Sequence, residues 1–334
     1  MPTHRRVDVG LLAVAAVWGS SYLAAKDVAT PDTVFGYLAI RFALAAIGLM
    51  VVLGPRLRRL TLAEVAFGAV FGTILGVIFA LETFGLTKTS ASNAGLIISA
   101  TIVMTPVLQQ WIQRTRLPAT FFCAAAVAVL GVGLLTQSGG FTPPGLGDLL
   151  MLLAAAARAC HVTVIAQLSG GRRLDPGRVT LTQICICLAV FTAAAPLTGR
   201  DAAEVAAHLS LGDWLVIVYL ALGCTVFAFV VQTWAVYRTS PARVSLLLGT
   251  EPLWAVAVGI LVAGDPLTLV GVAGAILVLA GTNWGRSTSC RSSSAIASRR
   301  TRSRPPGRPW RRRPASGSSS AASTAPRETT HATR

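Results

Sequence analysis

About ten times along this chain, a run of close to twenty apolar residues is closed by a short stretch rich in proline, glycine or charge. A helix rises 1.5 Å per residue, so each run is long enough to cross roughly 30 Å of hydrocarbon. Inside hydrocarbon a segment must satisfy its own backbone hydrogen bonds, which leaves the helix as the form of an isolated span. The spacing predicts helices near 9–26, 34–53, 64–86, 91–112, 118–137, 147–168, 179–198, 214–236, 241–263 and 266–284. The longest connections, 137–147 and 198–213, are too short for a soluble domain. Composition agrees: 53% of residues are hydrophobic and 13% charged, against roughly 25% charged in a soluble domain. The first run has no convincing cleavage site and more spans follow it, so it reads as a retained helix. The expected fold is an all-α membrane protein of ten transmembrane helices.

Charge sets the expected orientation. The net charge is +16, and residues 285–334 hold twelve Arg and one Glu, leaving the body of the chain nearly balanced. Lysine and arginine accumulate in cytoplasmic loops. With the N-terminus inside, one face carries Arg5, Arg6, Arg56, Arg58, Arg59, Arg114, Arg116, Arg172, Arg173, Arg178, Arg238 and Arg243, and the other only Lys26, Lys88 and Arg200. A split of twelve to three across alternating loops predicts that both termini are cytoplasmic.

The chain also echoes itself. Thr89-Ser90-Ala91 opens the fourth span and leads to Pro106, while Thr239-Ser240-Pro241 opens the ninth and leads to Pro252. Five spans separate the copies, and an odd number inverts the second in the membrane, as in inverted-repeat transporters. The expected units are a five-helix repeat over 1–137, a second over 138–284, and an Arg/Ser/Pro-rich tail over 285–334. That tail lacks apolar periodicity and reads as a disordered cytoplasmic extension attracted to anionic lipid rather than to nucleic acid. Its abrupt change of composition also suits a shifted reading frame. Cys123, Cys160, Cys185, Cys187 and Cys224 lie in apolar spans and read as small hydrophobes. Neither a metal-ligand spacing nor a G-x-x-x-x-G-K-[ST] loop occurs in the sequence, so no cofactor and no ATP engine is expected.

Several segments resemble the EamA-type, ten-helix branch of the drug/metabolite transporter superfamily. They are Trp18-Gly19-Ser20-Ser21-Tyr22, Arg41-Phe42, and Thr89 through Gly95, then Glu251-Pro252-Leu253-Trp254, Gly264 through Thr268, and Gly271 to Gly281. Together they cover residues 9 to 284. The resemblance implies an inner-membrane carrier, usually an exporter of amino acids, other metabolites or toxic compounds, driven by an ion gradient such as protons or sodium. Two positions depart from the family pattern. Ala157-Arg158-Ala159-Cys160-His161 stands where an aromatic residue is frequent, and Gly264-Asp265 replaces the usual Gly-Glu.

The substrate-binding candidates are Trp18, Tyr22, Arg41, Glu82, Asn93, Arg158, His161, Gln232 and Glu251. A charge at mid-span costs at least about 2.5 kcal/mol, so it faces a cavity or a partner. Arg158 lies in the middle of the sixth span with His161 one turn on. The pair can hold a substrate carboxylate, or Arg158 can pair with Glu82 or Glu251 and tie helices together. Pro252 frees a backbone carbonyl beside Glu251, which suits either an ion or substrate site or a packing kink. Trp18, Tyr22 and Lys26 recur every four residues, as a stacking face or as an interfacial belt. Arg41 and Glu82 fall near span ends, where they snorkel or reach a substrate. Asn93 and Gln232 offer hydrogen bonds to a cavity or to neighbouring helices. Gly68, Gly72 and Gly76, with Gly271 and Gly274, read as packing devices. A secondary transporter fits these features best. A lipid-modifying enzyme wants clustered catalytic groups that this sequence lacks, and a passive channel or scaffold leaves the repeat and the lone midplane charges without a use.

Overall fold

The computed structural model describes residues 2–25, 30–89, 91–114, 117–136, 145–258, 260–261 and 268–302. Its α-helices are α1 (Pro2–Ala25), α2 (Val34–Leu53), α3 (Leu62–Leu86), α4 (Ala91–Ile98), α5 (Thr101–Gln113), α6 (Ala119–Thr136), α7 (Leu146–Ser169), α8 (Pro176–Thr198), α9 (Ala202–His208), α10 (Leu211–Tyr219), α11 (Ala228–Val236), α12 (Pro241–Leu248), α13 (Glu251–Val258) and α14 (Leu269–Arg302). A 3₁₀ stretch, Gly54–Arg59, follows α2, and a π-helical stretch, Leu220–Phe227, joins α10 to α11. Among the described residues there is no strand.

Most of these bodies fall on the expected segments, while α9 (Ala202–His208) occupies the expected connection 198–213 and α1 begins ahead of its expected start. Five continuous ones, 34–59, 62–86, 146–169, 176–196 and 211–236, are long and apolar enough to cross a membrane. Many large apolar side chains on the outside are open, Leu62 at 85%, Trp111 at 79% and Val51 at 76% among them. Such a surface suits lipid rather than water.

Two expected helices are broken. The fourth divides at Ser99-Ala100 into α4 and α5, and the ninth at Gly249-Thr250 into α12 and α13. In the ninth, Pro252 withholds the N–H that the Leu248 carbonyl would accept. Pro106, by contrast, sits inside α5, and the break falls a turn and a half ahead of it. The last helix also differs from expectation, since α14 continues to Arg302 where a disordered tail was read from residue 285. Residues 269–302 contain no proline, and the first beyond them is Pro305. The chain divides into two compact units, 1–293 and 294–334; residues 303–334, with the rest of the expected tail, lie outside the described residues.

Local sequence starts the helices. The Thr61 hydroxyl accepts from Glu64 N–H and the Glu64 carboxylate accepts from Thr61 N–H, a capping box opening α3. Asp175 caps α8 with Pro176 at its first position, and Ser240 caps α12 with Pro241 likewise. Each such cap stabilises a helix by about 1 kcal/mol.

The core forms where α2 and α3 pack on α8. Tyr37, Phe42, Phe71, Leu75 and Phe191 are fully buried there. Close approach depends on small residues, as the spacing of Gly68 and Gly72 suggested. A Cβ at Gly68 would stand 2.5 Å from the Thr182 Cβ, and one at Gly72 would stand 2.9 Å from the Gln183 backbone. Gly76 has nothing nearer than the Cys187 sulfur at 3.9 Å. A Cβ at Gly131 would stand 2.8 Å from the Gly274 carbonyl, so the close approach of α6 to α14 depends on Gly131, whereas Gly271 meets only Thr268. Cys123, Cys160, Cys185, Cys187 and Cys224 are all free.

Across the fold α3 packs on α7 and α8, while α1 packs on α11 and α13, and α2 on α8 and the π stretch; α5 meets both α7 and α12. Two buried ion pairs tie helix ends together. Arg178 donates to both oxygens of Glu64, from Nε at 2.9 Å and Nη2 at 2.8 Å. Arg243 holds Asp8 in the same forked manner, which links α12 to α1.

Candidate functional site

At mid-height, α1, α3, α7, α11 and the broken helices leave a cavity. Its empty space is about 550 Å³ with the part open to solvent included. Trp18, Arg158, His161, Phe229, Gln232 and Glu251 contribute to its wall. The breaks bring Ser99 and Thr101 into the same wall on one side and Gly249 on the other. Gly19 allows α1 to reach this depth, because a Cβ there would stand 2.6 Å from the Glu251 carbonyl oxygen.

Arg158 is the hub. Its Nη2 donates to Glu82 Oε2 at 3.1 Å, and its Nε lies against the other oxygen of that carboxylate. Nη1 reaches Glu251 Oε2 at a longer 3.4 Å. The guanidinium also lies over the Trp18 ring, 4.8 Å from its centroid, a contact worth about 0.5–2 kcal/mol depending on desolvation. Four helices, α1, α3, α7 and α13, therefore converge on one cation. Glu251 occupies the first turn of α13, where the positive end of the helix dipole favours a carboxylate.

Around this hub runs a series of aromatic rings. Trp18 lies 5.4 Å from Phe229, Phe229 lies 5.8 Å from Phe79, and Phe79 meets Phe42 edge-on at 4.9 Å. The indole N–H of Trp18 donates to the Cys224 carbonyl at 2.8 Å. That carbonyl belongs to the π stretch, whose i to i+5 spacing redirects backbone groups. Arg41 is buried between helices. Its Nε donates to Thr225 Oγ1 at 3.1 Å and its guanidinium rests on Phe79 at 4.9 Å.

His161 is buried and pairs through Nε2 with Gln183 Oε1 at 2.9 Å, edge-on to Phe229. Gln232 is 4% exposed, and its side-chain oxygen has no hydrogen-bond partner among the described residues. Of the nine residues singled out in the sequence, five (Trp18, Arg158, His161, Gln232 and Glu251) share this cavity wall, and Glu82 stands directly behind Arg158. Arg41 sits one layer away. The side chains of Tyr22 and Asn93, and all of Lys26, lie outside the described residues. Among those described, no group of His, Cys, Asp or Glu could hold a metal ion.

Sequence reasoning did not single out Phe229, Thr101 or Thr225, which carry no distinguishing charge or spacing. It also passed over the Asp8–Arg243 and Glu64–Arg178 pairs. A signal for these existed, since each carboxylate opens an apolar span on the arginine-rich side.

A bundle of apolar helices enclosing a largely apolar cavity with charged groups in its wall defines a polytopic membrane protein of the transporter class. The chain belongs to the EamA-like transporter family, whose model matches residues 5–137 and again 145–284. Two proteins of Archaeoglobus fulgidus, both described as uncharacterized transporters, are similar to it. One is 25% identical over 272 residues, covering 81% of this chain and 83% of the relative. The other is 24% identical over 267 residues, covering 79% and 92%. A crystal structure with 15% sequence identity superposes with a TM-score of 0.67 over 86% of this chain and 98% of that one, a likeness of fold.

Proposed function

We propose that this membrane transporter is a secondary active exporter of small metabolites, such as amino acids or related organic solutes, across the cell's inner membrane. The observation that carries the reading is the Arg158 cluster, a charged group held at mid-height beside a cavity where two helices are broken. Charges at that depth mark solute or ion pathways, and broken helices in corresponding positions mark the binding region of inverted-repeat carriers. Ten spans, both termini inside, form two inverted five-helix units over 1–137 and 138–284, with 285–334 as a cytoplasmic extension. The packing supports that division. With span n of the first unit matched to span n+5 of the second, so that α3 matches the segment ending in α11 and α1 matches α7, the contact of α3 with α7 corresponds to that of α11 with α1. The contact of α3 with α8 corresponds likewise to that of the π stretch with α2. A proton or sodium gradient drives the exchange.

The test is uptake into sealed vesicles that hold the purified protein, presented with labelled metabolites under an imposed ion gradient. Accumulation that collapses on adding an ionophore supports coupled transport. Movement that only equalises concentration, with or without the gradient, would show a passive channel instead.

A further inference from the structure

Arginine gathers where α2 ends. In the 3₁₀ stretch Gly54–Arg59 residues three apart share an edge, which sets Arg56 and Arg59 together. Their side chains and that of Arg58 are exposed, while Leu57 packs against the core and anchors the stretch. The connection between α7 and α8 comes alongside. A Cβ at Gly177 would stand 2.9 Å from Leu53 Cδ2 at the end of α2, and the Asp175 N–H donates to Glu64 at the start of α3 at 2.9 Å. That connection adds the exposed Arg172 and Arg173. The Arg172 guanidinium is seated on the Phe67 ring, 4.5 Å from its centroid.

Carboxylates do little to offset this charge. Residues 54–64 and 170–178 hold six arginines against Glu64 and Asp175. Glu64 is buried and bonded by both oxygens to Arg178, and Asp175 accepts from the Arg178 backbone N–H. The two stretches thus keep five exposed arginines beyond that pair. An apolar wall adjoins them, with Val51 and Val52 exposed at the end of α2 and Leu62 at the start of α3. Exposed arginines bordering a lipid-facing wall complement a negative head carried on apolar chains.

We propose that the end of α2, the start of α3 and the α7–α8 connection form a binding site for an anionic phospholipid. The arginines of both stretches hold its phosphate, whose oxygens suit their planar forks, and an acyl chain lies along Val51, Val52 and Leu62. An acidic protein segment would answer the charge and leave that wall uncovered.

Native mass spectrometry of the full chain in detergent tests the proposal, with palmitoyl-oleoyl phosphatidylglycerol and the phosphatidylcholine of the same chains as probes. Phosphatidylglycerol should be retained at an about tenfold lower concentration than phosphatidylcholine. Arg58→Gln, Arg59→Gln, Arg172→Gln and Arg173→Gln combined should remove most of that preference. The same change at Arg308, Arg311, Arg312 and Arg313 should leave most of it, which separates a site from overall charge. Absence of the preference, or an equal loss in the two quadruple variants, overturns the proposal. Displacement of the lipid by inorganic phosphate at the lipid's own concentration also overturns it, in favour of a plain anion site. Should the first variant fail to extract intact, Arg58→Gln with Arg59→Gln replaces it, and an undiminished preference there overturns the proposal as well.

Discussion

Arg243 grips Asp8 through both carboxylate oxygens at 2.9 Å, joining residues that lie 235 apart in the chain. Both side chains are nearly buried, at 6% and 11% exposure. Removing one partner of such a pair strands the other charge and costs about 3–5 kcal/mol. Asp8→Asn should therefore lower the thermal midpoint of the detergent-solubilised protein by several degrees. Adding Arg243→Gln to it should recover part of the loss. Equal midpoints for the single variant and the parent would refute a stabilising role.

The Arg158 cluster leads to a second expectation. Arg158→Ala removes the cation that Glu82 and Glu251 share, so transport should fall to background while the protein still inserts. Arg158→Lys keeps the charge but loses the planar fork that meets both oxygens of Glu82, and should retain a small fraction of the rate. If Arg158 serves only to balance charge, Arg158→Ala combined with Glu82→Gln should regain most of it. Vesicle uptake with matched protein amounts reads all three, and a full rate in Arg158→Leu would discard the cluster as a functional centre.

Glycine spacing on α3 gives a graded test. Gly72→Val should prevent α3 from seating on α8, because its Cβ has backbone 2.9 Å away, whereas Gly76→Ala should be tolerated with its nearest neighbour at 3.9 Å. Monodispersity after detergent extraction measures both. Similar behaviour of the two would mean that the helices adjust more readily than this packing implies.

Topology is open to a direct assay. A reporter active only in the cytoplasm, fused after Trp284, should be active, and one fused at Lys88 or Arg200 should be silent. Activity at Arg200 would require a different number of spans between there and the C-terminus.

Much of this was legible in the sequence because hydrocarbon imposes a length. Runs near twenty residues located most helical bodies within a few positions, though α1 begins well before the expected start, α14 runs past the expected end and α9 was not foreseen; the cost of a midplane charge singled out Arg158 and Glu251. What the sequence withheld is which of two permitted partners a charge takes. Arg158 could as well have met a solute carboxylate as Glu82, and only the approach of α3 to α7 decides. Arg41 looked like an interfacial residue because its distance from a span end is visible in sequence, whereas the hydroxyl it bonds, Thr225, lies on another helix. The break at Ser99-Ala100 was likewise hidden. Proline signals a missing donor, but Pro106 is accommodated inside α5 and the chain parts earlier.

The π stretch between α10 and α11 has a consequence for any residue-by-residue scan of that segment. A π turn holds more residues than the 3.6 of an α turn, so across Leu220–Phe227 the angular phase of the side chains slips. A wheel drawn from Leu211 and continued to Val236 would assign the wrong azimuth to Phe229 and Gln232. Cysteine-accessibility labelling should accordingly trace two sinusoids offset from one another, with the discontinuity inside 220–227. Deleting one residue there should bring the halves closer to a single phase and swing Gln232 out of the cavity.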